Sequence, residues 1–244
     1  MPDELLLLSN SRVHGLGYLE HALPAIAAFL DGRRTVHFAP YALADHAGYT
    51  ARVRAALAPL GVATVGLDEV ADPRAALAAA EALFVGGGNS FRLLQALEAR
   101  ELLAPVRQRV AAGALRYLGA SAGTNMACPT LRTTNDMPIV QPASFAAFGL
   151  IPFQINPHYQ DPDSASTHMG ETREQRLAEF LEENDVAVLG LREGAWLRRS
   201  GDRLRLDGRA GARLFRRGAA PAELTPEADL SWLLALPARF DHPA

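Results

Sequence analysis

Short apolar runs, each closed by turn-forming residues, alternate with stretches of helical composition through the first half of the chain. Leu5-Leu6-Leu7-Leu8, ended by Ser9-Asn10-Ser11, predicts a buried strand. A helix is expected over residues 19–30 with Gly32 as its stop, then a strand over 35–38 closed by Pro40. The pattern repeats as a helix over 49–57, a strand over 62–67 and an alanine-rich helix over 73–81. For this helix Asp72 is the expected cap and Pro73 the first helical residue. Residues 82–85 form a fourth apolar run. It ends in Gly86-Gly87-Gly88-Asn89-Ser90 and leads to a helix with Phe91, Leu94 and Leu97 on one face. A helix over 105–112 then precedes an apolar run at 115–118. This alternation predicts a mainly parallel sheet with helices on both faces, the α/β class, and ligands in such sheets bind outside the carboxyl ends of the strands.

The second half is less regular. Residues 132–138 form a polar loop that does not suit a core. Residues 153–159 read as a strand with its loop, and 160–169 as an exposed, mobile loop. Thr172 and Gln175 have the spacing of a capping box for a helix reaching about Glu183. A strand over 186–191 follows. The short alternating runs of 195–215, split by Gly201-Asp202 and Asp207-Gly208, predict an antiparallel meander, and residues 230–234 a terminal helix. With neither repeat nor linker in view, residues 1–244 read as one domain.

Composition narrows the function. The formal net charge is −3 and the pI about 6.2, so no basic field invites nucleic acid or an anionic membrane. The apolar runs are too short to span a bilayer, and the N-terminus has no signal-like pattern. The single cysteine, Cys128, fits a reducing cytoplasm and reads as a packing residue.

The candidate chemistry centres on Gly119-Ala120-Ser121-Ala122-Gly123, which follows the apolar run at 115–118 and precedes small, helix-compatible residues. This is the context of a G-x-S-x-G nucleophile elbow, in which a strained strand-to-helix turn presents the serine hydroxyl. Ser121 would lie near a helix N-terminus, where unpaired N–H groups favour developing negative charge. The glycine loop after residue 85 fits a backbone N–H donor for an oxyanion; no P-loop pattern is present, and the chain has no lysine. Serine needs a base. Among the seven histidines, His37 lies in an apolar strand and reads as core. His14, His21, His46, His168 and His242 fall in loops or the tail. His158, at the end of a strand behind Asn156-Pro157, is the candidate base. Asp136 and Glu193 both remain open as the group that orients it, while Asp161 is too close to His158 in sequence to serve. No H-x-x-x-H or C-x-x-C pair suggests a metal.

Several strings together carry a family resemblance. They are Leu7-Leu8-Ser9-Asn10-Ser11, Val85-Gly86-Gly87-Gly88-Asn89, residues 119–125 and 133–140, Ile155-Asn156-Pro157-His158, Gly170-Glu171-Thr172-Arg173-Glu174-Gln175-Arg176, and Leu191-Arg192-Glu193-Gly194. The chain resembles the peptidase E, or α-aspartyl dipeptidase, family up to about residue 195, and only weakly beyond. The resemblance implies a three-layer α/β/α sandwich of the class I glutamine amidotransferase-like group. It also implies hydrolysis of Asp-X dipeptides without a cofactor. It maps a Ser-His-Glu triad onto Ser121, His158 and Glu193, the oxyanion hole onto the N–H groups of Gly88 and Ala122, and the reader of the substrate aspartate onto Arg173. Asp136 matches a residue important for activity, and Asn89 and Ser9 to Ser11 stand as pocket residues or, alternatively, as turn caps. A slightly longer loop between His158 and Gly170 departs from the family pattern. The expected partner is a small peptide substrate, with no nucleic acid and no membrane, and with a homodimer left open as the assembly. The rival readings are a cyanophycinase-like hydrolase of β-Asp-Arg and a non-catalytic binding or sensor module on the same fold.

Overall fold

The computed structural model describes residues 3–241 apart from 163, 164, 166 and 168, so His168 and His242 lie outside the described residues. Strands β1 (Glu4–Leu8), β2 (Thr35–Ala39), β3 (Ala63–Gly66), β4 (Ala82–Val85) and β5 (Arg116–Ala120) alternate with helices α1 (Leu23–Leu30), α2 (His46–Leu57), α3 (Pro73–Ala79), α4 (Ser90–Ala99) and α5 (Leu103–Ala111). Helix α6 (Ala122–Ala127) leaves β5 directly. Then follow β6 (Gln154–Tyr159), α7 (Arg173–Glu183), β7 (Val188–Arg192), β8 (Ala195–Ser200), β9 (Arg203–Gly208), β10 (Ala212–Phe215) and β11 (Ala222–Leu224).

Two sheets result. The larger has the order β3-β2-β4-β5-β1-β8-β9, and its first five strands are parallel as the alternation predicts. The smaller has the order β11-β10-β7-β6, with only β6 and β7 parallel. Four consecutive leucines suit β1 because both of its faces are covered. Leu6 and Leu8 pack with Ile26 and Phe29 of α1 and Val53 and Leu57 of α2, while Leu5 and Leu7 pack on the opposite face with residues of α4 and α5. This second cluster continues into Leu189 and Leu191 of β7, which joins the two sheets through one apolar layer. Helix α7 covers the far face of the small sheet through Leu177 and Leu181, against Tyr159, Val188 and Phe215.

Several expectations change. Residues 20–22 form a 3₁₀ turn entered through Leu19 at φ 61°, and the α-helix begins only at Leu23, with Pro24 in its first turn. The expected meander is a β8–β9 hairpin alone. β10 leaves the large sheet and pairs with β7 of the small one, because its apolar residues Ala212 and Leu214 meet Leu191 and Leu189 in register. The terminal helix is a short 3₁₀ segment, Ser231–Ala235. His37 is only half-buried, and its buried Nδ1 has no hydrogen-bond partner among the described residues; burial pushes its pKa down. The caps behave as read: Asp72 accepts from the N–H groups of Arg74 and Ala75 at 2.9 and 3.0 Å, and Thr172 and Gln175 form the reciprocal box. The described members of the 160–169 loop are exposed.

Candidate active site

Strands β4, β5 and β1 lie side by side, and their carboxyl ends release the glycine loop, the Ser121 elbow and Ser9-Asn10 respectively. Ser121 stands between β5 and α6 at φ 54° and ψ −110°, a conformation non-glycine residues avoid at a cost of about 1–3 kcal/mol. A tertiary bond and the first turn of α6 hold it there. Its N–H donates to the Leu8 carbonyl at 3.1 Å, and its carbonyl accepts from Thr124 and Asn125 N–H groups at 2.8 and 3.0 Å. The small residues of the motif are sterically required. A Cβ on Gly119 would stand 2.6 Å from the Gly123 carbonyl oxygen, and one on Gly123 would run into the Val85 carbonyl. Gly123→Ala should therefore destabilise the protein by roughly 1–3 kcal/mol, read as a fall in Tm of about 2–4 °C per kcal/mol.

His158 reaches Ser121 because of an irregularity in β6. The β6–β7 register runs regularly to Pro157 opposite Leu191, then resumes with Tyr159 opposite Arg192. His158 is the extra residue of this bulge, at φ 53°, and a bulge re-aims a side chain. Its Nε2 accepts from the Ser121 hydroxyl at 2.9 Å, and its Nδ1–H donates to Glu193 Oε1 at 2.6 Å. Glu193 occupies the corner where the chain passes from β7 in the small sheet to β8 in the large one. The three side chains thus form a hydrogen-bonded row, open to water on the Glu193 side, where 55% of the side chain is exposed. The choice between Asp136 and Glu193 at this position is made by geometry: Glu193 meets His158, while Asp136 Oδ2 accepts from the N–H and hydroxyl of Ser90, both at 2.7 Å.

Ser90 opens α4, so Asp136 fastens the end of the glycine loop. Asn89 adds to this: Oδ1 accepts from the Arg92 N–H at 3.0 Å and Nδ2 donates to the Met137 carbonyl at 2.8 Å. Gly88 takes φ 136°, open only to glycine, and a Cβ there would lie 2.5 Å from the Ala42 carbonyl oxygen. A Cβ on Gly87 would lie 3.0 Å from that of Ser121, so the loop passes against the elbow. Among the described residues, neither the Gly88 nor the Ala122 N–H donates to a protein acceptor. Arg173, the first residue of α7, is half-buried and forms neither a hydrogen bond nor an ion pair among the described residues. Burial and neighbouring Arg176 lower its pKa, while the Asp136 carboxylate acts the other way. Cys128 is fully buried, and burial pushes its thiol up to about 12, so it stays protonated. No cluster of three or more His, Cys, Asp or Glu among the described residues is placed to hold a metal, and no helix there is long and apolar enough to cross a membrane.

Several supporting residues take parts that the sequence reading did not assign them. Ser9 and Asn10 are buried and hold the backbone of the site. Ser9 Oγ donates to the Leu191 carbonyl at 2.8 Å and accepts the His158 N–H at 2.9 Å, while Asn10 Oδ1 accepts the Gly194 N–H at 2.8 Å. β6 is the edge of its sheet, and polar side chains satisfy its free carbonyls. Ile155 O accepts from Asn125 Nδ2 and Thr133 Oγ1 at 2.9 and 2.8 Å, and Pro157 O accepts from Asn135 Nδ2 at 2.7 Å. The polar 132–138 loop is thus partly interior, with Thr133 buried. Its run of amide and hydroxyl residues was the available signal.

The model of Peptidase family S51 matches residues 5–207. The chain is 63% identical to peptidase E of Streptomyces coelicolor over 97% of both chains. It is 50% identical to a Drosophila melanogaster protein named "probable alpha-aspartyl dipeptidase", over 94% of this chain and 97% of that one. Both matches extend past residue 195, where the sequence strings had weakened. In fold, the chain superposes on a peptidase from an acI-B1 actinobacterium with a TM-score of 0.67 at 17% identity, covering 94% of this chain and 97% of the other.

Proposed function

The chain belongs to peptidase family S51, and from that premise we propose that it is a serine dipeptidase acting on peptides with an N-terminal aspartate. The observation that carries the proposal is the Ser121–His158–Glu193 row, at 2.9 and 2.6 Å; Arg173, half-buried, paired by no described residue and in the field of the Asp136 carboxylate, supports it. In this reading His158 takes the Ser121 proton as Oγ attacks the peptide carbonyl, and then passes it to the leaving amine of residue X. Water, deprotonated by the same imidazole, releases aspartate from the acyl-enzyme. Glu193 holds the tautomer and stabilises the imidazolium. The Gly88 and Ala122 N–H groups receive the oxyanion, each worth roughly 3–4 kcal/mol to the transition state. Arg173 receives the substrate carboxylate, for which a guanidinium fork is well suited. The architecture reads as the glutamine amidotransferase-like three-layer sandwich in one domain. A buried, unpaired cysteine supports a cytoplasmic setting. Asp-X, Glu-X, Asn-X and β-Asp-X dipeptides, incubated with wild type and Ser121→Ala, test the proposal. Ser121-dependent cleavage of Asp-X supports it. Cleavage of β-Asp-Arg alone would point to the cyanophycinase-like reading, and inertness to every peptide and to a serine-directed phosphonate would point to a binding module.

Glu193→Gln should lower kcat by roughly 10²- to 10³-fold, less than the ~10⁴ known for a buried orienter, because water reaches this carboxylate. Asp136→Asn should raise KM at least as much as it lowers kcat, since Asp136 bonds the start of α4 and not the histidine. Steady-state kinetics on one Asp-X substrate separate the two, and a near-normal Glu193→Gln would reverse the assignment.

A further inference from the structure

Behind the triad, on the face of the small sheet that α7 covers, two arginines and three carboxylates form one ion network. Arg192 Nε and Nη2 donate to the two oxygens of Asp161 at 2.7 and 2.6 Å, a bidentate pair, and Nη2 reaches Glu223 at 2.9 Å. Arg213 on β10 lies 3.7 Å from Asp161, 3.4 Å from Glu174 and 3.5 Å from Glu223. Both guanidiniums are largely covered, with 21% and 25% of each side chain exposed. The pair with Arg192 holds Asp161 below the usual carboxylate range and raises the arginine.

The positions of these groups in the chain matter more than their energies, since half-exposed pairs contribute little stability. Asp161 is three residues beyond His158. Arg192 immediately precedes Glu193, and Glu174 immediately follows Arg173. The segments of His158, Glu193 and Arg173 therefore each anchor a neighbouring residue in the same network. The bulge at His158 makes this geometry: it turns Tyr159 to the α7 face, opposite Arg192, where the next residues of the chain meet the guanidinium. A displacement of one ångström in such a constellation can cost on the order of 100-fold in rate.

We propose that Arg192 and Arg213 are positioning residues for the reaction, Arg192 setting the spacing of His158 and Glu193 through Asp161, and Arg213 setting the pose of Arg173 through Glu174. The Arg213 half rests on the aspartyl-dipeptidase reading; the Arg192 half needs only the triad. The test compares wild type with Arg192→Met, Arg192→Lys and Arg213→Met. Arg54→Met is the control; its pair with Glu69 at 2.6 Å lies with α2 on the opposite side of the large sheet. Three quantities are measured: the rate of Ser121 labelling by a fluorophosphonate as a function of pH, kcat and KM for an Asp-X dipeptide, and thermal melts.

Arg192→Met should slow labelling by about 10- to 100-fold and lower kcat in parallel. The pH midpoint of labelling should fall, because a misplaced Glu193 stabilises the imidazolium less. Arg192→Lys should recover part of the rate, keeping the charge without the fork. Arg213→Met should label within about twofold of wild type and raise KM for Asp-X about tenfold. Labelling and turnover within twofold of wild type in both Met variants, or an equal loss of all activities that follows only the fall in Tm, would overturn the proposal. Failure of the dipeptidase reading looks different: wild type would label at Ser121 yet leave Asp-X intact. That outcome overturns the Arg213 half, and labelling alone then decides the Arg192 half. Wild type that does not label overturns both.

Discussion

Ser121→Ala is expected to lower kcat for Asp-X by about 10⁴-fold or more, the loss typical of a serine nucleophile. The substitution removes the atom that would form the acyl bond and leaves the elbow intact. Among the described residues Ser121 Oγ bonds only His158 Nε2, and the bonds by which residue 121 anchors the turn use its backbone. Alanine keeps the same unfavourable φ, so the strain stored at the turn is unchanged and Tm should stay close to that of wild type. Activity within tenfold of wild type would place the chemistry on another residue. Cys128→Ser is the matched control. Its thiol is buried, protonated and packed, with Sγ accepting the Ile155 N–H at 3.2 Å. A hydroxyl can accept that bond, so activity should persist.

The second large effect concerns specificity. Arg173→Ala should lower kcat/KM for Asp-X by roughly 30-fold to several thousand-fold, corresponding to the ~2–5 kcal/mol lost when one partner of a desolvated charge pair is removed. The arginine is half-buried, no described residue neutralises it by contact, and burial already disfavours its charge. A substrate carboxylate would supply the missing counter-ion, assisted by the absence of any lysine in the chain that could substitute. Arg173→Lys should restore only part of the loss, since an ammonium lacks the bidentate fork. Asn-X, which carries no charge for Arg173 to meet, should change far less. The measurement is kcat/KM on both substrates for wild type and both variants, with melts alongside. Equal proportional losses on Asp-X and Asn-X at unchanged Tm would remove Arg173 from the role of aspartate reader.

Asp136 illustrates how far the sequence carried. Its place in a polar loop after the elbow left it equal with Glu193 as a partner for His158. What separates them is a turn between two sheets at residue 193 and a helix start at residue 90, neither of which has a signature near residue 136. Ser9 and Asn10 are a similar case. They read as turn caps or pocket lining, yet Asn10 holds the backbone of Gly194 across 184 residues of chain. The polar run at 132–138 read as surface, and part of it turned inward to serve the carbonyls of an edge strand.

Local order was written in the chain itself. The alternation of apolar runs and helical stretches, the caps at Asp72 and Thr172, and Gly119 against the Gly123 carbonyl each follow from contacts within one or two turns of backbone. Periodicity and steric fit report such contacts directly. The strand order, the departure of β10 to a second sheet, the bulge that aims His158 and the ion network behind the triad belong to tertiary structure alone. Each depends on which distant apolar face meets which, and on the register in which two strands then pair. A shift of a single residue in that pairing would turn His158 away from Ser121, and no local pattern specifies it.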